Sequence, residues 1–78
     1  MAVTAYLFIE TEGGMTAGVV TALRGMGGVI TADAITGPSD VIVRLETTDI
    51  DALGRMVVSK IQRIDGLART QTCPVVNL

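Results

Sequence analysis

Val29-Ile-Thr-Ala-Asp-Ala-Ile-Thr36-Gly37-Pro38-Ser39-Asp40-Val41-Ile-Val-Arg-Leu-Glu-Thr-Thr48 is the stretch whose reading decides the fold. Two β-rich runs, each with at least partial period-two alternation, flank four turn-forming residues, which is the pattern of a β-hairpin. Gly37 opens backbone angles closed to other residues, Pro38 presets the turn, and Asp40 enters the next strand with an acceptor-only side chain at neutral pH. The tip is the first candidate for binding chemistry, although Gly-Pro-Ser-Asp is also ordinary turn punctuation.

Upstream of the hairpin, Val3, Ala5, Leu7 and Ile9 alternate with Thr4, Tyr6, Phe8 and Glu10, as in a strand. Gly13-Gly14 ends it. Thr16 is placed to cap a helix whose apolar stripe is Met15, Val19, Val20, Leu23 and Met26, and Gly25, Gly27 and Gly28 stop that helix. Downstream, Thr48 with Asp51 resembles a capping box opening a second helix with Ile50, Leu53, Met56, Val57, Ile61 and Ile64 on one face. Lys60 falls at the edge of that stripe, where its stem can snorkel. Asp65-Gly66 closes the helix, and residues 67–76 read as a last strand that Pro74 assigns to a sheet edge.

A shift of 38 residues lays Val3, Ala5 and Leu7 on Val41, Val43 and Leu45, Val19 on Val57, Leu23 on Ile61, Met26 on Ile64, and Gly28-Val29 on Gly66-Leu67. The register holds without a gap, so the chain reads as βαβ twice. Two such units joined by a hairpin predict an α+β, ferredoxin-like βαββαβ fold: an antiparallel four-stranded sheet in the order 4-1-3-2, with both helices on one face. The helices would cover Val3, Leu7, Val41, Val43 and Leu45. The opposite face would show Tyr6, Phe8 and Ile42, with Ala32 and Ala34, beside Arg44 and Glu46, and a patch of that kind marks an interaction site. A second copy of the same sheet is the simplest cover, which predicts a homodimer, a dimeric α/β barrel, with Tyr6, Phe8 and Ile42 at its interface.

Composition bounds the function. Residues 1–78 are read as one domain, and a chain this short buries only about 60% of its unfolded surface, so self-association would help it. With 49% hydrophobic residues but one Phe, one Tyr and no Trp, the core must be aliphatic. A formal charge of −2 and six scattered bases leave no basic footprint, so direct nucleic-acid binding is not expected. Cys73 is the only cysteine and there is no histidine, which rules out an internal disulfide and the usual zinc ligand sets. No cofactor is implied. Ala5–Ile9, the longest early apolar run, is too short for a signal-peptide core or a membrane span, so a cytoplasmic location is expected.

Thr36-Gly37-Pro38-Ser39-Asp40-Val41, Ile64-Asp65-Gly66-Leu67 and Arg69-Thr70-Gln71-Thr72 together resemble the effector-binding (RAM) domain of the Lrp/AsnC transcriptional regulators. The first is similar to that family's Thr-Gly-x-x-Asp pattern, the second to its helix exit and the third to its Thr-x-Thr strand, and the likeness runs over essentially the whole chain. Pro38-Ser39 stands where a polar-aromatic pair is common and Asp65 where Pro is common, so selectivity can differ from that of relatives. The first strand begins at the third residue, where a typical member carries a helix-turn-helix domain, so a stand-alone effector domain is expected.

The resemblance implies a free amino acid as ligand, held by Gly37, Ser39, Asp40, Thr70 and Thr72. Asp40 would take the ammonium, backbone near Gly37 the carboxylate, and the two threonine hydroxyls would complete the site. The last strand lies at the far edge of the sheet from the hairpin's first strand, so such a site must cross a subunit boundary. That fits the family's pockets between dimers and its higher oligomers, octamer or decamer rings. Full-length Lrp/AsnC regulators are the implied protein partners, and a purely structural co-assembly role or ACT-like sensing are the competing readings. A small dimeric-barrel enzyme is the third class, but no histidine, activated nucleophile or aromatic cofactor cluster is present to support one.

Overall fold

The chain runs β1 (Val3–Thr11), α1 (Thr16–Arg24), β2 (Val29–Ala34), β3 (Val41–Thr47), α2 (Ile50–Ser59), one 3-10 turn (Ile61–Arg63) and β4 (Leu67–Pro74). The structure is a computed structural model and describes residues 2–78. All strand pairs are antiparallel, in the order β2-β3-β1-β4, as the repeat predicts. β4 is an edge strand, and Pro74 at its end costs the sheet no interior hydrogen bond.

Alternation sorts the two central strands. Ala5, Leu7 and Ile9 of β1 pair with Leu45, Val43 and Val41 of β3, and all six are completely buried. Over them lie Val19, Val20 and Leu23 from α1 and Leu53, Met56 and Val57 from α2, with Ile61 from the 3-10 turn. Each large aliphatic side chain moved out of water there stabilises the fold by about 1.5–3 kcal/mol. Both helices therefore share one face, and the core is aliphatic throughout. Met15 and Ile50 leave the expected stripes: Ile50 is 56% exposed and Met15 39%.

The helix ends differ in detail from the expectation. Thr16 does not cap α1; the N-cap position is Met15, without a side-chain bond, and the Thr16 hydroxyl turns to Thr11 instead. At α2 the cap is Asp49, not Thr48: its carboxylate accepts from the Ala52 N–H at 2.7 Å. Three cap-forming residues stand in a row there, and the last wins because it sits directly before the first helical residue. The second helix also stops at Ser59, and Ile61 reaches the core from the 3-10 turn.

The open face needs one correction. Ala32 and Ala34 do not lie on it: they pair with Val43 and Val41, on the side of the helices, and Ala32 is 2% exposed. The cause is a register shift between Val29 and Thr31, where two steps along β2 match one along β3. One extra residue reverses the parity of everything after it. The open face instead carries Thr31 and Asp33 beside Arg44 and Ile42, then Tyr6 and Phe8, then Cys73 and Gln71. Tyr6, Phe8 and Ile42 are half-buried at its centre.

The repeat is visible in three dimensions and broken in one place. Gly28 and Gly66 correspond, with φ of 91° and 92°, and each carbonyl accepts a backbone N–H, that of Glu46 in β3 at 2.8 Å and that of Glu12, just after β1, at 2.7 Å. Under the 38-residue shift, the Ile9–Thr70 rung should become Thr47–Ala32, yet Ala32 pairs with Val43, four residues earlier. Likewise α2 starts at Ile50, four residues before the position equivalent to Thr16. A start of α2 earlier by about one turn, 3.6 residues, and one slide of β2 along β3 go together.

Gly66 is required twice over, by its positive φ and because a Cβ there would collide with the Cβ of Met15. Gly66→Ala is expected to lower unfolding free energy by about 1–3 kcal/mol, and adding Met15→Gly, which removes the colliding Cβ, should return part but not all of that loss, the remainder being backbone strain. Urea unfolding of the two single variants and the double variant measures it; strict additivity would contradict the contact.

Candidate functional site

The six residues Ile35–Asp40 join β2 to β3, and the loop closes with the Ile35 N–H donating to the Asp40 carbonyl at 2.8 Å. Gly37 has φ 138°, and a Cβ there would meet nothing within 4 Å, so glycine serves the backbone angle and not a packing need. Its surroundings are open. The N–H groups of Gly37 and Ser39 donate to no protein acceptor among the described residues, which leaves them free for an anion.

Asp40 is tied at both ends. Its N–H donates to the Ile9 carbonyl at 2.8 Å, extending the β1–β3 ladder. Its Oδ2 accepts from the Thr11 N–H at 2.8 Å and from the Thr11 hydroxyl at 3.3 Å. Because Thr11 spends its hydroxyl proton on Asp40, the 2.7 Å contact between the two threonine hydroxyls is one in which Thr16 donates to Thr11. The β1–β4 register shifts between Glu10 and Thr11, at the point where the Thr11 N–H points to the carboxylate. One carboxylate oxygen thus fastens the hairpin to the end of β1 and the start of α1, while Oδ1 accepts nothing among the described residues. No local sequence pattern places Thr11 and Thr16 in this cluster; only the contact between distant segments reveals it.

Thr70 and Thr72 pair with Ile9 and Leu7, so both stand on the helix side of the sheet, half-buried at the β4 edge. Only β1 separates Asp40 from Thr70. Two strand spacings amount to about 9–10 Å, too far for the two residues to hold one polar group within a single chain. Gly37, Ser39 and Asp40 are brought together; Thr70 and Thr72 are brought together; the two sets are not joined.

Two cavities lie elsewhere. One, of about 440 Å³, is framed by the Gly27-Gly28 turn, the end of β3 and α2; the other, of about 220 Å³, lies between Ala2–Thr4 and Val75 and Asn77. Neither includes Gly37, Ser39, Asp40, Thr70 or Thr72. Among the described residues no three acidic or cysteine side chains cluster as metal ligands, and no helix is long and apolar enough to cross a membrane.

Comparison with known proteins adds to this geometry. A family model described as the Lrp/AsnC ligand binding domain matches residues 4–77. Among solved structures, the protein FFRP-DM1 is 28% identical, with a TM-score of 0.91 over 95% of this chain and 99% of its own. AsnC of E. coli is 25% identical at a TM-score of 0.91, and the chain covers 97% of itself but 52% of that protein. The transcriptional regulator NMB0573 of Neisseria meningitidis, described in complex with L-Met, shares the fold at a TM-score of 0.87 and 18% identity, over 96% of this chain and 50% of its own. The chain thus spans about half the length of those two regulators. No curated protein matches it.

Asp40→Ala removes an acceptor from two donors of Thr11 and is expected to cost about 1–3 kcal/mol of stability. Asp40→Asn keeps an oxygen acceptor and should lose less than about 1 kcal/mol. Denaturant unfolding at one fixed protein concentration compares them; equal losses would contradict the anchoring role.

Proposed function

The chain belongs to the Lrp/AsnC ligand-binding-domain family, and from that premise we propose that it senses a free amino acid at a site shared between subunits and modulates transcription through partner regulators. The observation that carries the reading is the half-satisfied Asp40. Oδ2 is spent on Thr11, which fixes the carboxylate, and Oδ1 is left to accept from an ammonium. A charge-assisted bond to a preoriented acceptor is worth more than one to a mobile side chain. The free N–H groups at Gly37 and Ser39 suit the carboxylate of the same ligand, and Thr70 and Thr72 of a neighbouring chain suit its remaining polar contacts.

The oligomer follows from the open face. Tyr6, Phe8 and Ile42 form its apolar centre, and a second sheet related by a two-fold axis is the cover that meets the same residues with themselves. Dimers then assemble further, into an octameric or decameric ring in this reading, and a ligand held between dimers shifts that equilibrium by its differential affinity for the assembled state. The domain is not an enzyme, binds no DNA directly and acts in the cytoplasm. Residues 1–78 serve as one unit, with full-length Lrp/AsnC regulators as the protein partners.

Titration calorimetry across the common amino acids tests the reading. One or a few are expected to bind, and Asp40→Asn should weaken that binding roughly ten- to a hundredfold, the equivalent of one charged hydrogen bond at about 1.5–3 kcal/mol. Thr72→Val should have a smaller effect. Heats indistinguishable from buffer for every amino acid, or a monodisperse monomer in light scattering at micromolar concentration, would instead favour a structural co-assembly role.

A further inference from the structure

The break in the repeat creates the larger cavity. In the first half, Met15 packs over Gly66, and the Glu12 N–H closes onto the Gly66 carbonyl. In the second half, the residue equivalent to Met15 is Leu53, which is drawn into the core by the earlier start of α2. Met56 then lies against Gly28, its Sδ and Cε both 3.4 Å from where a Cβ would stand. Between this wall, the Gly27-Gly28 turn and the last residues of β3 lies the space of about 440 Å³, within the ~300–1,000 Å³ range of small-ligand pockets.

Apart from Glu46, its charged lining is of one sign, with Thr47 and Ser59 as neutral polar residues. Arg55, Ser59 and Lys60 of α2 and its C-cap line it, with Met56 and Ala52 as the apolar side. Glu46 also borders it, but it pairs with Thr4, so its side chain belongs to the open face of the sheet and only its backbone faces the turn. The ion pairs among the described residues are Arg24 with Asp33 and Arg69 with Glu10; Arg55 and Lys60 have none, and Asp51, one turn before Arg55, does not bridge to it. Arg55 and Lys60 are exposed and solvated by water, and in a chain of net charge −2 two such cations at the rim of a mostly apolar cavity suit an anion with an apolar body.

The geometry points to a second small-molecule site between α2 and the Gly27-Gly28 turn, which takes a short aliphatic carboxylate: carboxylate on Arg55 and Lys60, hydrocarbon against Met56 and Ala52. Inorganic phosphate alone would satisfy the cations and leave the apolar wall unfilled. The site includes none of Gly37, Ser39, Asp40, Thr70 or Thr72 and does not depend on amino-acid sensing there.

Amide NMR of the full chain titrated with 3-methylbutanoate tests it, with 3-methylbutanamide as the uncharged control and inorganic phosphate as the control without a chain. Saturable shifts are expected at Gly27, Gly28, Thr47 and Ser59 and not at Gly37 or Asp40. The amide, the phosphate and the double variant Arg55→Gln/Lys60→Gln should each bind about tenfold or more weakly. Gly27→Leu provides a second check: a Cβ at Gly27 meets nothing within 4 Å and the residue has no positive φ, so the variant should fold and fill the space. Absence of saturable shifts at millimolar carboxylate, equal binding of the amide or of phosphate, shifts confined to the hairpin, or undiminished binding by either variant would each overturn the site.

Discussion

The antiparallel ladder between β1 and β3 is what the rest of the structure depends on. Its register, from Val3 with Thr47 to Ile9 with Val41, puts six aliphatic residues on one side, each completely buried. The same register puts Tyr6 opposite Arg44, and these two are themselves equivalent under the 38-residue repeat, so the pseudo-two-fold axis passes between them. A slip of β3 by one residue would send Val41, Val43 and Leu45 to the open face and Ile42 and Arg44 to the core. The helices, the edge strands and the placement of Asp40 beside Ile9 follow from that pairing.

A sheet covered on one side by two short helices leaves the other side as the domain's main unpartnered surface. In a chain this small, the burial that the proposed second copy adds would be a large share of what holds it together. Under the proposed function, activity and stability would then be linked through assembly. In the proposed assembly the hairpin tip and the Thr70–Thr72 strand would each present half of a site.

Much of this was legible in the residues because periodicity and repetition reinforce each other. Strand order, the helix-bearing face, the edge position of Pro74 and the glycines at Gly28 and Gly66 all follow from the two aligned βαβ patterns. Three features were hidden for specific physical reasons. The bulge at Ile30 reverses the parity of Ala32 and Ala34, and Val29-Ile-Thr-Ala carries no glycine to announce it. Thr47, Thr48 and Asp49 all suit a helix N-terminus, so the cap could not be told from composition. The bond from Thr11 to Asp40 spans 29 positions, and a tertiary hydrogen bond between loop ends leaves no local pattern.

The central claim is that the amino-acid site is completed by two chains, Asp40 from one and Thr70 from its neighbour. Subunit mixing measures this directly. Asp40→Asn and Thr70→Val proteins, each weakened in ligand binding, are combined, allowed to exchange subunits and titrated by calorimetry with the amino acid that the unmodified protein binds. The account predicts that a fraction of sites, those pairing an intact Asp40 with an intact Thr70, regains unmodified affinity. A mixture that binds only as the average of its two components would contradict it.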